Sequence, residues 1–233
     1  YAQYAQNFPR MATVEDHCFC YGDPLKLFLE GKCADVPVMA GNTKDEFPSF
    51  LPAKSEKELE DVARRLFGQR AEEFLQIPEA KRLDETGYYG KVCGLECTIK
   101  GVFGWKKENG GKQDYYYYRF EPDIPGWDQP GCFHSVDLWF FFETLAKCWR
   151  PFTGRHYDLA RQMCNYWANF IKTGDPNGLD GDGTKMPQWI PYTGKQPSEM
   201  VFTSQGPVSV QKEENAYVKF LSEESVRQIR AQK

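Results

Sequence analysis

Stretches suited to strands alternate with stretches suited to helices along these 233 residues, and that order narrows the fold more than any composition figure. In "ADVPVMAGNT", Val36, Val38 and Met39 form a short apolar run closed by Gly41 and Asn42, as at the end of a buried strand over 36–40. "DYYYYRFEPD" at 114–123 is rich in β-formers and stops at Pro122, so it reads as a second strand. "EMVFTSQGPVSVQ" reads as a last strand or hairpin.

Helices separate them. "DPLKLFLEG" starts at Asp23 and Pro24 and stops at Gly31. Ser55 and Glu58 have capping-box spacing ahead of Leu59, Val62, Ala63, Leu66 and Phe67, which predicts an amphipathic helix over 56–67. A second helix follows around 70–76, and 90–107 has helical character. The clearest helix is 155–173, where Leu159, Met163, Tyr166, Trp167 and Phe170 make one packing stripe that Gly174 ends. "KFLSEESVRQIRAQK" reads as a closing helix. Strand, helices, strand, helix, strand, helix is the order of an α/β fold. About three core strands are few for this length, so the sheet is expected to be incomplete.

Composition sets limits. With 41% hydrophobic and 27% charged residues and a net charge of −4, the chain has the balance of a soluble globular protein. Lys and Arg are dispersed, which argues against a nucleic-acid surface. No apolar run reaches the ~20 residues that span a bilayer. Eight cysteines stand at 18, 20, 33, 93, 97, 132, 148 and 164 without paired zinc-ribbon spacing, so reduced thiols and a cytoplasmic setting are expected. A metal site built on His17, Cys18 and Cys20 is the minor reading, and no metal or organic cofactor is expected. The four consecutive tyrosines imply broad apolar surfaces, either core or pocket.

Three histidines are available for proton transfer. His17 and His156 read as surface or capping residues. His134 follows a loop shaped by Pro125, Gly126, Pro130 and Gly131 and precedes an apolar aromatic run. A histidine base needs a carboxylate to fix its tautomer. "GNTKDEF" offers Asp45 or Glu46 just past the first strand, where side chains point into the crevice at the strand ends. No serine stands in G-x-S-x-G, the turn that exposes a nucleophilic hydroxyl. Ser135 is beside His134, but adjacent residues rarely point at each other. "DPNGLDGDGTK" has a calcium loop's composition without its Gly and Glu, so its acidic residues read as a solvated turn.

With these residues in hand, the chain resembles the carboxyl-terminal part of a type-B carboxylesterase, the α/β-hydrolase branch that includes bacterial para-nitrobenzyl esterases and cholinesterases. "DPLKLFLEGKCADVPVMAGNTKDEF" resembles the stretch leading to the acid, and "YYYYRFEPDIPG" the strand that follows. "GCFHSVDLWFFFETL" resembles the histidine loop. "MCNYWANFIKTGDPNG", "MPQWIPYT" and "MVF" resemble the late helix, the Trp-Pro segment and the last strand. The match runs over most of 1–233 in the family's order.

The resemblance implies that Glu46 is the triad acid and His134 the general base, with Phe133, Trp139 and Phe140 near an acyl or alcohol pocket. It implies the carboxyl-terminal half of an α/β-hydrolase fold, whose serine and oxyanion glycines lie on an amino-terminal part outside this sequence. That absence accords with the lack of an initial Met. The expected partner is that amino-terminal half, the expected substrate a small uncharged carboxylic ester, and this chain alone is expected to be inactive. A triad-less relative acting as an adhesion or interaction module is the alternative. Phe47 stands where the family usually has Gly, which affects the wall beside the acid, and Asp137 where it often has Glu.

Overall fold

Pro37 has no amide proton to give a ladder, so the first strand begins after it. The computed structural model, which describes residues 15–46, 53–84, 87–90 and 93–231, places β1 at Val38–Thr43. Val36, expected inside the strand, is exposed outside it. The strand also runs on through Gly41 and Asn42, expected to close it. Pairing overrides the turn preference of those residues: Gly41 faces Tyr118 and Asn42 faces Arg119 in a parallel ladder. Glycine is required there, because a Cβ on Gly41 would lie 2.2 Å from the Tyr118 carbonyl oxygen.

The remaining elements follow in chain order. Helix α1 (Pro24–Leu29) precedes β1, and its amino end is capped by the Asp23 side chain accepting from the Lys26 amide. After β1 come α2 (Glu56–Phe67), α3 (Ala71–Leu75) and α4 (Gly94–Glu108). Then come β2 (Tyr115–Phe120), the short α5 (Leu138–Phe141) and the long α6 (Gly154–Thr173). The hairpin β3 (Ser198–Thr203) and β4 (Gly206–Gln211) leads to α7 (Ala216–Ala231). The described sheet has four strands in the order β1-β2-β3-β4, one more than the sequence suggested. Both β1–β2 and β2–β3 are parallel, and β3–β4 is antiparallel.

The four tyrosines explain how this sheet is buried. Side chains alternate faces along a strand, so Tyr116 and Tyr118 enter one core with Leu159, Met163, Tyr166, Trp189 and Phe202. Tyr115 and Tyr117 enter the opposite core with Phe103, Tyr192, Val226 and Ile229. A central parallel strand is covered on both faces, and aromatic rings fill both. The tyrosines are therefore core, not pocket. A third cluster joins α2 and α3 to α7 through Phe67, Phe74, Tyr217 and Phe220.

Two polar features depart from the sequence reading. Asp180, expected in a solvated turn, is buried and accepts from Arg161 at 3.0 and 3.1 Å and from Asn165 at 2.8 Å. Lys100 is buried on α4 against Glu96, Glu214 and Glu199, with its ammonium 4.8 Å from the Tyr117 ring centre. Burial alone would lower the lysine pKa, but the three carboxylates outweigh it and the net direction is upward. All eight cysteines are free thiols. No described helix is long and apolar enough to cross a membrane.

Candidate active site

Beyond β1 the chain turns through Lys44 and Asp45 to Glu46. The Lys44 amide bonds to the Phe120 carbonyl (2.8 Å), so the turn stays attached to the end of β2. Asp45 fastens it to a second segment. Its amide donates to the Cys132 carbonyl (3.0 Å), and its carboxylate accepts from the Cys132 amide (2.7 Å). Gly131 lies so close that a Cβ there would meet the Asp45 carboxylate at 2.6 Å, and its φ of +62° is one a glycine adopts without strain. Asp45, one of the two carboxylates open from sequence, thus ties the acid turn to the histidine loop.

That loop is anchored two residues to either side of His134 and leaves the imidazole outward. Cys132 and Val136 are buried on either side, and the Cys132 thiol donates to the Pro122 carbonyl (2.8 Å). Burial pushes this thiol pKa up to about 12, so at neutral pH it is a packing group. The Val136 amide closes a turn onto Phe133 (3.1 Å), and Ser135 takes the left-handed conformation at φ +70°. A non-glycine residue held there is strained, and such strain gathers where side chains must be aimed.

The result brings Glu46 and His134 together. Glu46 Oε1 lies 2.5 Å from His134 Nδ1. The carboxylate side chain is 4% exposed and the imidazole side chain 56% exposed. Glu46 Oε2 accepts from the Thr43 hydroxyl (2.9 Å) and the Thr43 amide (3.1 Å). A carboxylate only accepts hydrogen bonds, so the proton between them belongs to Nδ1, and in the tautomer this favours Nε2 carries the lone pair. That arrangement suits a general base.

Behind the pair, Asp137 is buried and accepts from the Tyr118 hydroxyl (2.9 Å). Desolvation raises its carboxyl pKa, the tyrosine bond pulls it part-way back, and the charge of Glu46 adds to the rise. In the sequence Asp137 stands out only as a departure from the family pattern, with nothing to pair it with Tyr118. The only sequence mark on Thr43 is the capping-box spacing of Thr43-x-x-Glu46, in which the acid reaches back to the amide.

The expected aromatic wall divides. Phe133 and Trp139 are half-buried and meet edge to face at 5.8 Å beside the imidazole loop. Phe140 is fully buried and packs on Phe120 and Phe152. Its place is the core, where it belongs to the buried cluster that Trp139, its neighbour in α5, only packs against. Phe47 lies outside the described residues. His17, at φ +54°, is exposed, while His156, expected at a surface or cap, is a buried capping residue of α6. Among the described residues no group of three or more His, Cys, Asp or Glu is placed to hold a metal ion.

Comparison with known proteins adds lineage to this geometry. Residues 95–221 match the model of the carboxylesterase family. Carboxylesterase 4A of Bos taurus is 27% identical over 214 residues, covering 78% of this chain and 36% of its own length. Acetylcholinesterase of Gallus gallus is 33% identical over 112 residues, covering 47% of this chain and 13% of its own length. Among solved structures, a PNB esterase superimposes with a TM-score of 0.58 at 17% identity over 89% of this chain and 42% of that one. A thermophilic PNB esterase gives 0.54 at 20% identity over 86% and 41%. These likenesses show the fold, part of an α/β hydrolase, and the chain spans well under half the length of each of these relatives.

Proposed function

This chain belongs to the carboxylesterase family, and from that premise we propose that it contributes the acid and the base of a serine esterase whose nucleophile lies on a segment outside this sequence. The observation that supports this reading is the 2.5 Å contact between Glu46 and His134 at the ends of parallel strands. The segment supplying the serine, an amino-terminal part of the same protein or a partner chain derived from it, completes the site. The substrate is an uncharged carboxylic ester.

The reaction follows from the tautomer. Glu46 holds Nδ1–H of His134, and Nε2 accepts the serine proton as the serine oxygen attacks the ester carbonyl carbon. The imidazolium formed is stabilised by the Glu46 carboxylate. As the tetrahedral adduct collapses, Nε2–H passes its proton to the departing alkoxide, releasing the alcohol and leaving an acyl-serine. Water then repeats the sequence, with His134 taking its proton and returning it to the serine oxygen. A positioned base of this kind contributes about 10²–10⁴-fold in rate. Phe133 and Trp139 are suited to wall the ester's apolar group, and Phe140 supports them from the core.

The test is to identify what accompanies this chain on purification and to treat the sample with a fluorescent fluorophosphonate. The expected result is a label on a serine in G-x-S-x-G of the accompanying segment, lost on His134→Ala. A label on the 27.0 kDa chain itself defeats the assignment of the nucleophile elsewhere. No label on the complete protein favours an inactive interaction module.

A further inference from the structure

We propose that Thr43 is a positioning residue that aims the Glu46 carboxylate at His134, an inference that rests on the acid–base reading above. Oxygen Oε2 of Glu46 receives both polar hydrogens Thr43 offers, from the hydroxyl at 2.9 Å and from the amide at 3.1 Å. The terminal torsion of a glutamate is broad and turns freely between nearly equivalent settings. Holding one oxygen with two donors removes that freedom and leaves Oε1 at 2.5 Å from Nδ1.

Thr43 is itself held. It is buried at the last position of β1, in register with Phe120 of β2. The Asn42 side-chain amide donates to the Thr43 carbonyl (2.9 Å), and Asn42 in turn accepts from the buried Tyr117 hydroxyl (2.6 Å). The central strand of the sheet thus braces the residue that braces the acid. The amide of residue 43 is present whatever its side chain, so the hydroxyl is the part of this grip that the sequence chooses. A valine of nearly the same shape keeps the packing and removes only that donor.

The experiment compares Thr43→Val and Thr43→Ser with the unaltered esterase, assembled with its nucleophile-bearing segment, using p-nitrophenyl acetate as the probe. For Thr43→Val, kcat falls about tenfold, as expected for losing one bond to a charged acceptor, while KM stays put. Thr43→Ser restores the rate, because the hydroxyl returns without the methyl. Unchanged kcat in Thr43→Val, or equal losses in Val and Ser, overturns the inference. Should Thr43→Val fail to fold, Thr43→Ala against Thr43→Ser makes the same comparison, and equal rates overturn it. His134→Ala run alongside separates the two claims: full activity there sinks the acid–base reading itself, whereas loss there with no change at Thr43→Val sinks the positioning role alone.

Discussion

His134 and His156 are both gripped through Nδ1, with opposite chemical outcomes. At His134 the partner is a carboxylate oxygen at 2.5 Å, an acceptor, so Nδ1 carries the proton. At His156 the partner is the Thr153 amide at 2.9 Å, a donor, so Nδ1 is the bare nitrogen and Nε2–H points to the Asp123 carbonyl at 3.3 Å. One ring is held by its acid at a partly open surface. The other is spent in capping α6, buried against Phe152. Residue type is the same, and the polarity of one neighbour decides the role.

The largest effect that tests this contrast is on rate. On the proposed assignment, His134→Ala in the protein assembled with its nucleophile-bearing segment is expected to lower kcat by about 10²–10⁴-fold with little change in melting temperature. His156→Ala is expected to leave kcat alone and lower the melting temperature. Matching losses of rate in both variants break the comparison. Glu46→Gln sharpens it by putting an amide where only an acceptor serves. Its NH₂ group opposes the Nδ1–H tautomer, and kcat should fall by about 10²-fold or more while urea denaturation stays near the unaltered midpoint.

Smaller effects probe what holds each ring. Asp45→Ala removes the carboxylate that accepts the Cys132 amide (2.7 Å), a loss of about 1–3 kcal/mol. Hydrogen exchange at the Cys132 amide should speed up more than at residues of α6. His156→Ala, a lost cap, should cost about 0.5–2 kcal/mol by chemical denaturation.

The smallest effect is the pH dependence of that cap. Burial depresses the His156 pKa below the ordinary 6.5, and its bond to the Asp123 carbonyl only partly offsets this. The unfolded chain therefore binds this proton more readily than the fold does. The cap's contribution is complete above pH 6.5 and is lost as pH falls through the depressed value. Melting temperature should decline over that window, and less steeply in His156→Gln. An equal decline in both removes His156 as the cause.

Much of this was legible in the sequence wherever a local signal controlled the outcome. Ser55 accepts from the Glu58 amide and Gly68 ends α2, so 56–67 formed as its spacing requires. Gly174 ends α6 at φ +78° for the same kind of reason. Partners distant in the chain were less visible. Nothing near Asp180 announces that Arg161 and Asn165 will bury it, and nothing near Lys100 announces its three carboxylates. At the site, the neighbourhood of Glu46 and His134 could be read from the strand end and the loop. Residue type alone leaves Asp45 and Glu46 open and the family resemblance points to Glu46, but the tie of Asp45 to Cys132 was not legible, because only the fold brings that amide to it. An aromatic run conceals which of its rings a short helix turns inward, and Phe140 is such a ring.

The run of tyrosines in β2 carries a consequence for alignment of the strands. Within four identical rings a slip leaves a ring on each face, so in β2 only Arg119 and Phe120 at its end give hydrophobicity a mark to read. Singular encounters must then index the ladder: the phenol of Tyr117 finding Asn42, that of Tyr118 finding Asp137, and Gly41 making way for Tyr118. Replacing those phenols with phenylalanine would keep the grease and erase the address.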